Sequence, residues 1–276
     1  MTKKALRVVT GAPLYYDKSL LMAERYTFSV LRRILDAPCD KIITDDHDFI
    51  LCRSEKPFPV WVWTRDGALE ETLEAVYRIT VEQWPGSEYR YNMKYETASY
   101  FIARGHSLEL NMMTYDCPAP IAPEDRISGA PRLAVMEDLN VLTGYMTAFH
   151  DEIAQDRRSA EETRRSTAEK IGSGQLHIWE DAGRIVCVCG HHTAMADGLC
   201  SVGPVYTPPE ARRRHYAQHL VYYVTRLIVD RGLMPVLYTD ADYAPSNSCY
   251  KKIGYELKGT LCTIRAGTAE TSRGSM

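Results

Sequence analysis

Between residues 199 and 229 the hydrophobic period of the sequence changes once, and that change is the strongest constraint on the fold. Residues 199–206 (LCSVGPVY) read as a β-strand. Ala217, Leu220, Val221, Val224, Leu227 and Ile228 then form an apolar stripe at helical spacing, which stops at Arg231 before Gly232. A further strand at 235–239 makes this part of the chain α/β. The segment in between, TPPEARRRH (207–215), is short, basic and placed where the helix begins. The first N–H groups of a helix lack partners and lie at the positive end of its macrodipole, so an anion can satisfy them. Three arginines add charge and forked donors. Taken alone, such a triplet before a helix is usually just a solvated surface.

At 276 residues the chain has room for two compact units of about 100 to 200 residues each. Its 45% hydrophobic and 25% charged residues are ordinary globular proportions, which leave little room for a long disordered region. The net charge of -3 argues against general nucleic-acid binding, which needs a dominant basic surface. The start lacks the apolar run of a signal peptide, and no segment approaches the roughly 20 apolar residues of a membrane span. A cytoplasmic protein with neither membrane nor nucleic-acid partners is expected. The 8 cysteines include no C-x-x-C pair, so neither a zinc ribbon nor a disulfide framework is expected. Cys187 and Cys189 point to one face of a strand, and buried strand positions are the plain reading. His191 and His192 close by keep a metal site open as an alternative.

The first half mixes helices and strands. Asp17 is positioned to cap a helix running to about Leu35, followed by strands at 49–53 and 59–64 and a helix at 68–84. A helix over 91–104 and a strand over 106–114 complete the half. His47, among Asp45, Asp46 and Asp48, is expected in a solvated loop. Residues 117–131 (CPAPIAPEDRISGAP) concentrate proline and glycine and suit a linker. The expected organisation is an N-terminal α/β domain over 1–125, a second domain over 131–266, and a polar, disordered tail over 267–276. The second domain opens with a strand at 132–135, an amphipathic helix at 137–153 and a charged helix at 160–171. A hairpin of strands 176–180 and 184–189 follows, turning at Asp181, Ala182 and Gly183. After the stretch described first come a short helix at 245–253 and a last strand at 259–265.

Two segments of this half resemble the GNAT N-acetyltransferases. Arg212-Arg213-Arg214-His215-Tyr216-Ala217 is similar to the family's acetyl-CoA loop, whose pattern is Arg or Gln, two residues, Gly, one residue, Gly or Ala. Downstream, SNSCYKKIGY (246–255) is similar to the family's segment S-N-x-x-Y-x-K-x-G followed by Phe or Tyr. The two lie in the family's order, with a helix and a strand between them. Two positions depart from the pattern. His215 stands where the family usually has glycine, and Tyr243 stands where many relatives carry an asparagine that contacts the pantetheine arm.

The resemblance implies a GNAT fold, an α/β (α+β) mixed sheet, over 131–266. It implies an acetyl-CoA-dependent N-acetyltransferase that moves an acetyl group to a primary amine, with acetyl-CoA as cosubstrate and no metal. Backbone groups around Val205, Tyr206 and Thr207 would then hold the pantetheine. Arg212, Arg213, Arg214, His215, Tyr216 and Ala217 would hold the pyrophosphate. Tyr250, with Ser246 one turn before it, would be the general acid for the leaving thiolate. Glu180, His191, His192 and Asp197 are candidates for a general base, and no feature of the sequence chooses among them. The acceptor would be a small-molecule or peptide amine selected by variable segments such as 150–175. The element order of the first half is compatible with a degenerate copy of the same fold without the arginine-rich loop. Its expected role is to shape the acceptor cleft or a homodimer interface. The alternative function is a noncatalytic acyl-CoA-binding or sensing protein on the same scaffold.

Overall fold

The computed structural model of the protein describes residues 5–153 and 159–266, so the expected polar tail lies outside the described residues. The chain divides into two compact units, one formed by residues 5–113, 240–242 and 259–266, the other by 114–239 and 243–258. The first contains β1 (Arg7–Val9), α1 (Ser29–Leu35), β2 (Lys41–Thr44), β3 (Phe49–Arg53), β4 (Val60–Thr64), α2 (Glu70–Gln83), β5 (Arg90–Met93) and α3 (Tyr95–Ile102). Most of β6 (His106–Asp116) also belongs to it. The second contains β7 (Ala130–Leu133), α4 (Leu139–Ile153), α5 (Ala160–Gly172), β8 (Leu176–Asp181), β9 (Arg184–His191), β10 (Leu199–Tyr206), α6 (Tyr216–Val229), most of β11 (Met234–Asp240) and α7 (Ala244–Ile253). The last strand, β12 (Glu256–Ala266), starts in the second unit and ends in the first.

Both units run through one order of elements: an edge strand, helical turns, three antiparallel strands, a helix, a parallel strand, a helix and a final strand. In the first unit β1 to β4 pair antiparallel in succession, β5 joins β4 in parallel, and Cys262–Arg265 of β12 pairs antiparallel with β5. In the second, β7 to β10 pair antiparallel and β11 joins β10 in parallel. The segment expected as a linker packs within the second unit: Ile121 N donates to Ile253 O at 2.7 Å and Cys117 N to Pro235 O at 3.1 Å. Gly254 ends α7 at φ 98°, and a Cβ there would come 2.8 Å from Ala119 O, so both the turn and this packing require glycine.

Three local readings differ from the structure. Residues 17–35 do not form one helix. Asp17 caps only a 3₁₀ turn (Lys18–Leu21), and α1 begins at Ser29. Contacts to distant residues account for the break: Trp63 Nε1 donates to Glu24 Oε2 at 2.7 Å, and Thr27 lies so close to Gly259 that a Cβ there would meet its Oγ1 at 2.1 Å. Residues 91–104 split into β5 and α3, because Tyr91 and Asn92 take up parallel pairing with Val60 and Trp61. The strands β1 and β2, which carry few sequence signals, were not expected. The hairpin β8–β9 does turn at Ala182 (φ 48°) and Gly183 (φ 74°), the left-handed pair that matches strand twist. Ser159 and Glu162 cap α5 reciprocally, with Ser159 N donating to Glu162 Oε2 at 2.8 Å and Glu162 N to Ser159 Oγ at 3.2 Å.

The sheet of the second unit is covered on both faces. Leu176, Ile178, Val188 and Tyr206 pack with Leu142, Met146 and Ile171 of α4 and α5. His177 and Trp179 face α6 instead, through ring contacts with Tyr223 and His219 at 5.8 and 5.6 Å. His177 is buried, stacks on His191 at 5.7 Å, and has no hydrogen-bond partner on either ring nitrogen. Burial, with a smaller push from His191 and Arg231, lowers its pKa to about 4. In the unfolded chain the imidazole protonates near pH 6.5, so unfolding takes up a proton below that pH. Stability should therefore fall as pH drops from about 6.5 to about 4, with this group contributing on the order of 3 kcal/mol. His177→Phe should raise the urea midpoint at neutral pH and shrink this decline. An equal decline in the variant would mean that other groups cause it.

Among the described residues no helix is long and apolar enough to cross a membrane.

Candidate functional site

The site begins where β10 parts from its neighbour. Parallel pairing of β10 with β11 covers only Leu199 to Ser201, against Met234 to Val236. Beyond Ser201 the register of β10 on β9 also shifts, between Val202 and Val205, before resuming at Val205 opposite Cys189 and Tyr206 opposite Val188. Gly190 makes room for this irregularity, since a Cβ there would come 2.9 Å from Gly203 O and 3.0 Å from Pro204 Cδ. The result is that Val205 and Tyr206 keep their β9 partners while their other edge is unpaired by β11.

The loop after β10 folds on itself. Thr207 Oγ1 donates to Cys187 Sγ at 3.2 Å, and a 3₁₀ turn (Pro209–Ala211) follows. Arg212 Nε donates back to Thr207 O at 2.9 Å, its Nη2 donates to Glu152 Oε1 at 2.5 Å, and its guanidinium stands 5.8 Å from the Tyr206 ring. The Glu152 pair, ahead of the opposing cost of burial, raises the Arg212 pKa. Arg213 and His215 both adopt left-handed backbone, φ 60° and 62°. That conformation costs roughly 1–2 kcal/mol for a residue with a Cβ and is free for glycine, the residue that the resembled pattern has at position 215. His215 is the residue before α6, its own side chain makes no capping hydrogen bond, and among the described residues no other side chain caps the helix. Its first-turn amides, from Tyr216 and Ala217 onward, thus remain for an external acceptor, beside exposed Arg213 and Arg214.

Side chains around this helix start form a bracing network. Tyr216 is buried and its hydroxyl donates to Asp181, which also accepts from Ser128 Oγ at 2.9 Å. Only the backbone of Tyr216 is therefore available to an anion. Arg214 lies 5.2 Å from the Tyr216 ring and 3.9 Å from Asp181. His215 turns its Nδ1 to Asp125 Oδ2 at 2.6 Å, and His219 Nε2 approaches the other carboxylate oxygen at 3.3 Å. The His215 hydrogen bond is the main cause holding the Asp125 carboxyl below its ordinary range.

Tyr250 and Ser246 share one face of α7. Tyr250 is buried edge-on to Tyr255 at 5.8 Å, with Ser246 one turn before it on the helix. Burial pushes the phenol pKa up, Cys249 and Cys189 add to the rise, and the nearby Ser246 side chain offsets part of it. Cys187 and Cys189 are fully buried strand residues, the Cys187 thiol being pushed up to about 12 by burial. Among the described residues no group of three or more His, Cys, Asp and Glu could hold a metal ion. Tyr243 is exposed before α7, with its carbonyl accepting from Asn247 Nδ2 at 3.0 Å. Of the candidate bases, Glu180 is taken by Arg132 at 2.6 Å, and His191 Nδ1 lies 3.1 Å from His192 O. Glu152, Asp181 and Asp125 all brace the loop yet carried no sequence signal, because their partners lie 60, 35 and 90 residues away.

Residues 185–264 match the family described as FR47-like protein, a GNAT-related sequence. The fold is similar to a GCN5-related N-acetyltransferase from Sphaerobacter thermophilus, with TM-score 0.68 and 14% identity, covering 95% of this chain and 97% of that one. It is also similar to a GNAT-family acetyltransferase from Colwellia psychrerythraea, with TM-score 0.60, 9% identity, and 96% and 100% of the two chains covered. A GCN5-related N-acetyltransferase from Kribbella flavida matches with TM-score 0.60 and 14% identity, over 91% of this chain and 98% of that one. The sequence matches no curated protein. The chain thus has the fold of these acetyltransferases.

Proposed function

We propose that the protein is an acetyl-CoA-dependent N-acetyltransferase acting on a primary amine. The observation that carries this reading is the uncapped start of α6 behind Arg212–Arg214, at the point where β10 loses its β11 partner. These groups fit coenzyme A: backbone N–H groups and guanidinium forks suit a pyrophosphate, and an unpaired strand edge suits the amide-bearing pantetheine arm. When bound, acetyl-CoA supplies the acetyl group as an activated thioester. Val205, Tyr206 and Thr207 would hold the arm through their backbone. Arg212, Arg213, Arg214 and the amides from His215 to Ala217 would hold the phosphates. Tyr250, with Ser246 one turn before it, would keep a proton ready for the departing thiolate.

The first unit differs at the corresponding place, which supports one cofactor site per chain. In the first unit β4 and β5 also pair only briefly, at Val60 and Trp61. There, however, α2 opens with Glu70 and Glu71, and the nearby Lys94 is neutralised by Glu24 and Asp66. Carboxylates in the first turn of a helix repel an incoming phosphate.

Calorimetric titration with CoA should give one site per chain. Acetyl-CoA mixed with a panel of aminoglycosides, polyamines, amino acids and peptides should then release free thiol for at least one acceptor. No CoA binding would sink the reading, and binding without thiol release across the panel would favour a noncatalytic acyl-CoA sensor. His215→Gly should leave CoA affinity unchanged or improve it, because it removes left-handed strain and only an exposed pair with Asp125. A large loss of affinity would instead make the imidazole a direct phosphate ligand.

A further inference from the structure

Arg212 heads the loop that the coenzyme A reading relies on, yet two of its five N–H donors are already committed, and the outward-facing one is held by a carboxylate. Nε closes the loop on Thr207 O, and Nη2 is held by Glu152. Glu152 belongs to the last turn of α4, whose Tyr145 also packs on Tyr206 at 5.5 Å. Both partners are open to solvent, with side chains 36% and 50% exposed for Arg212 and Glu152, so an incoming anion can reach the pair. A carboxylate and a phosphate are competing acceptors for one guanidinium fork. The carboxylate is also poorly placed by itself, since the C-terminal end of a helix carries partial negative charge. Arg212 is what makes Glu152 tolerable there.

We propose that Glu152 is an intramolecular competitor for phosphate at Arg212, so that cofactor binding exchanges the carboxylate for a pyrophosphate oxygen and frees the last turn of α4. The inference rests on the coenzyme A reading above. It makes CoA affinity weaker than the loop alone would give, and it ties the end of α4 to the occupancy of the site.

The test is calorimetric titration of the full chain with CoA, and with pantetheine, which has no phosphates. Glu152→Gln should tighten CoA about two- to fivefold, the range of a partly exposed ion pair, and leave pantetheine unchanged. Glu152→Ala should act in the same direction. In an Arg212→Ala background neither change should alter CoA affinity. Unchanged or weaker CoA binding by both Glu152 variants, or a gain that survives without Arg212, overturns the exchange. A wild-type protein that binds no CoA overturns the functional reading itself, which separates the two failures.

Discussion

Replacing Tyr250 with phenylalanine is expected to lower kcat by about 10²- to 10⁴-fold, the usual cost of losing a general acid, with little change in CoA affinity. Burial keeps the phenol protonated past its ordinary range, and the nearby Ser246 side chain offsets part of that rise. A donor of raised pKa transfers its proton to a thiolate less readily than one matched to it, which favours the lower part of that range. Phenylalanine preserves the edge contact with Tyr255 and removes only the hydroxyl, so stability should change by about 1 kcal/mol or less. Measuring kcat, CoA affinity and thermal stability on one preparation separates the two effects. Full turnover in the variant would make Tyr250 a packing residue and pass the proton to solvent or another side chain.

The parts of this molecule that could be read from sequence are those whose determinants are local. β10, the basic loop, α6 and α7 occupy about sixty contiguous residues, and each has its own period, caps or turn residues. The hairpin at Ala182 and Gly183 is legible for the same reason. What escaped was decided at long range. Tyr91-Asn92-Met93 suits a helix by itself and becomes a strand only beside Val60 and Trp61. The helix expected from Asp17 is interrupted where Glu24 meets Trp63 and Thr27 meets Gly259, at the far end of the chain. The membership of β12 follows the same logic, since its last residues find their partner in β5. At the candidate site the arginines could be named but not their states. Only the structure shows Arg212 bound to Glu152, or His215 turned toward Asp125.

Removing Arg212 and Arg214 together is the sharpest test of how the loop binds. Each would lose a charge-assisted contact to phosphate, and with both partly exposed a combined loss of about 2–4 kcal/mol is expected, roughly 30- to 1000-fold in Kd. Pantetheine should bind the double alanine variant as it binds the wild type, because the strand edge at Val205 and Tyr206 is untouched. Salt gives a second readout. Exposed charge pairs are screened beyond about 10 Å at 0.1 M ionic strength, so wild-type CoA affinity should fall as salt rises, and the variant should show a flatter dependence. Stability should fall only modestly, since Arg214 is exposed and Arg212 gives up one bond to Thr207 O and a partly exposed pair with Glu152. If CoA, desphospho-CoA and pantetheine all bind the variant as they bind the wild type, the arginines are a solvated surface and the anion site must be sought elsewhere.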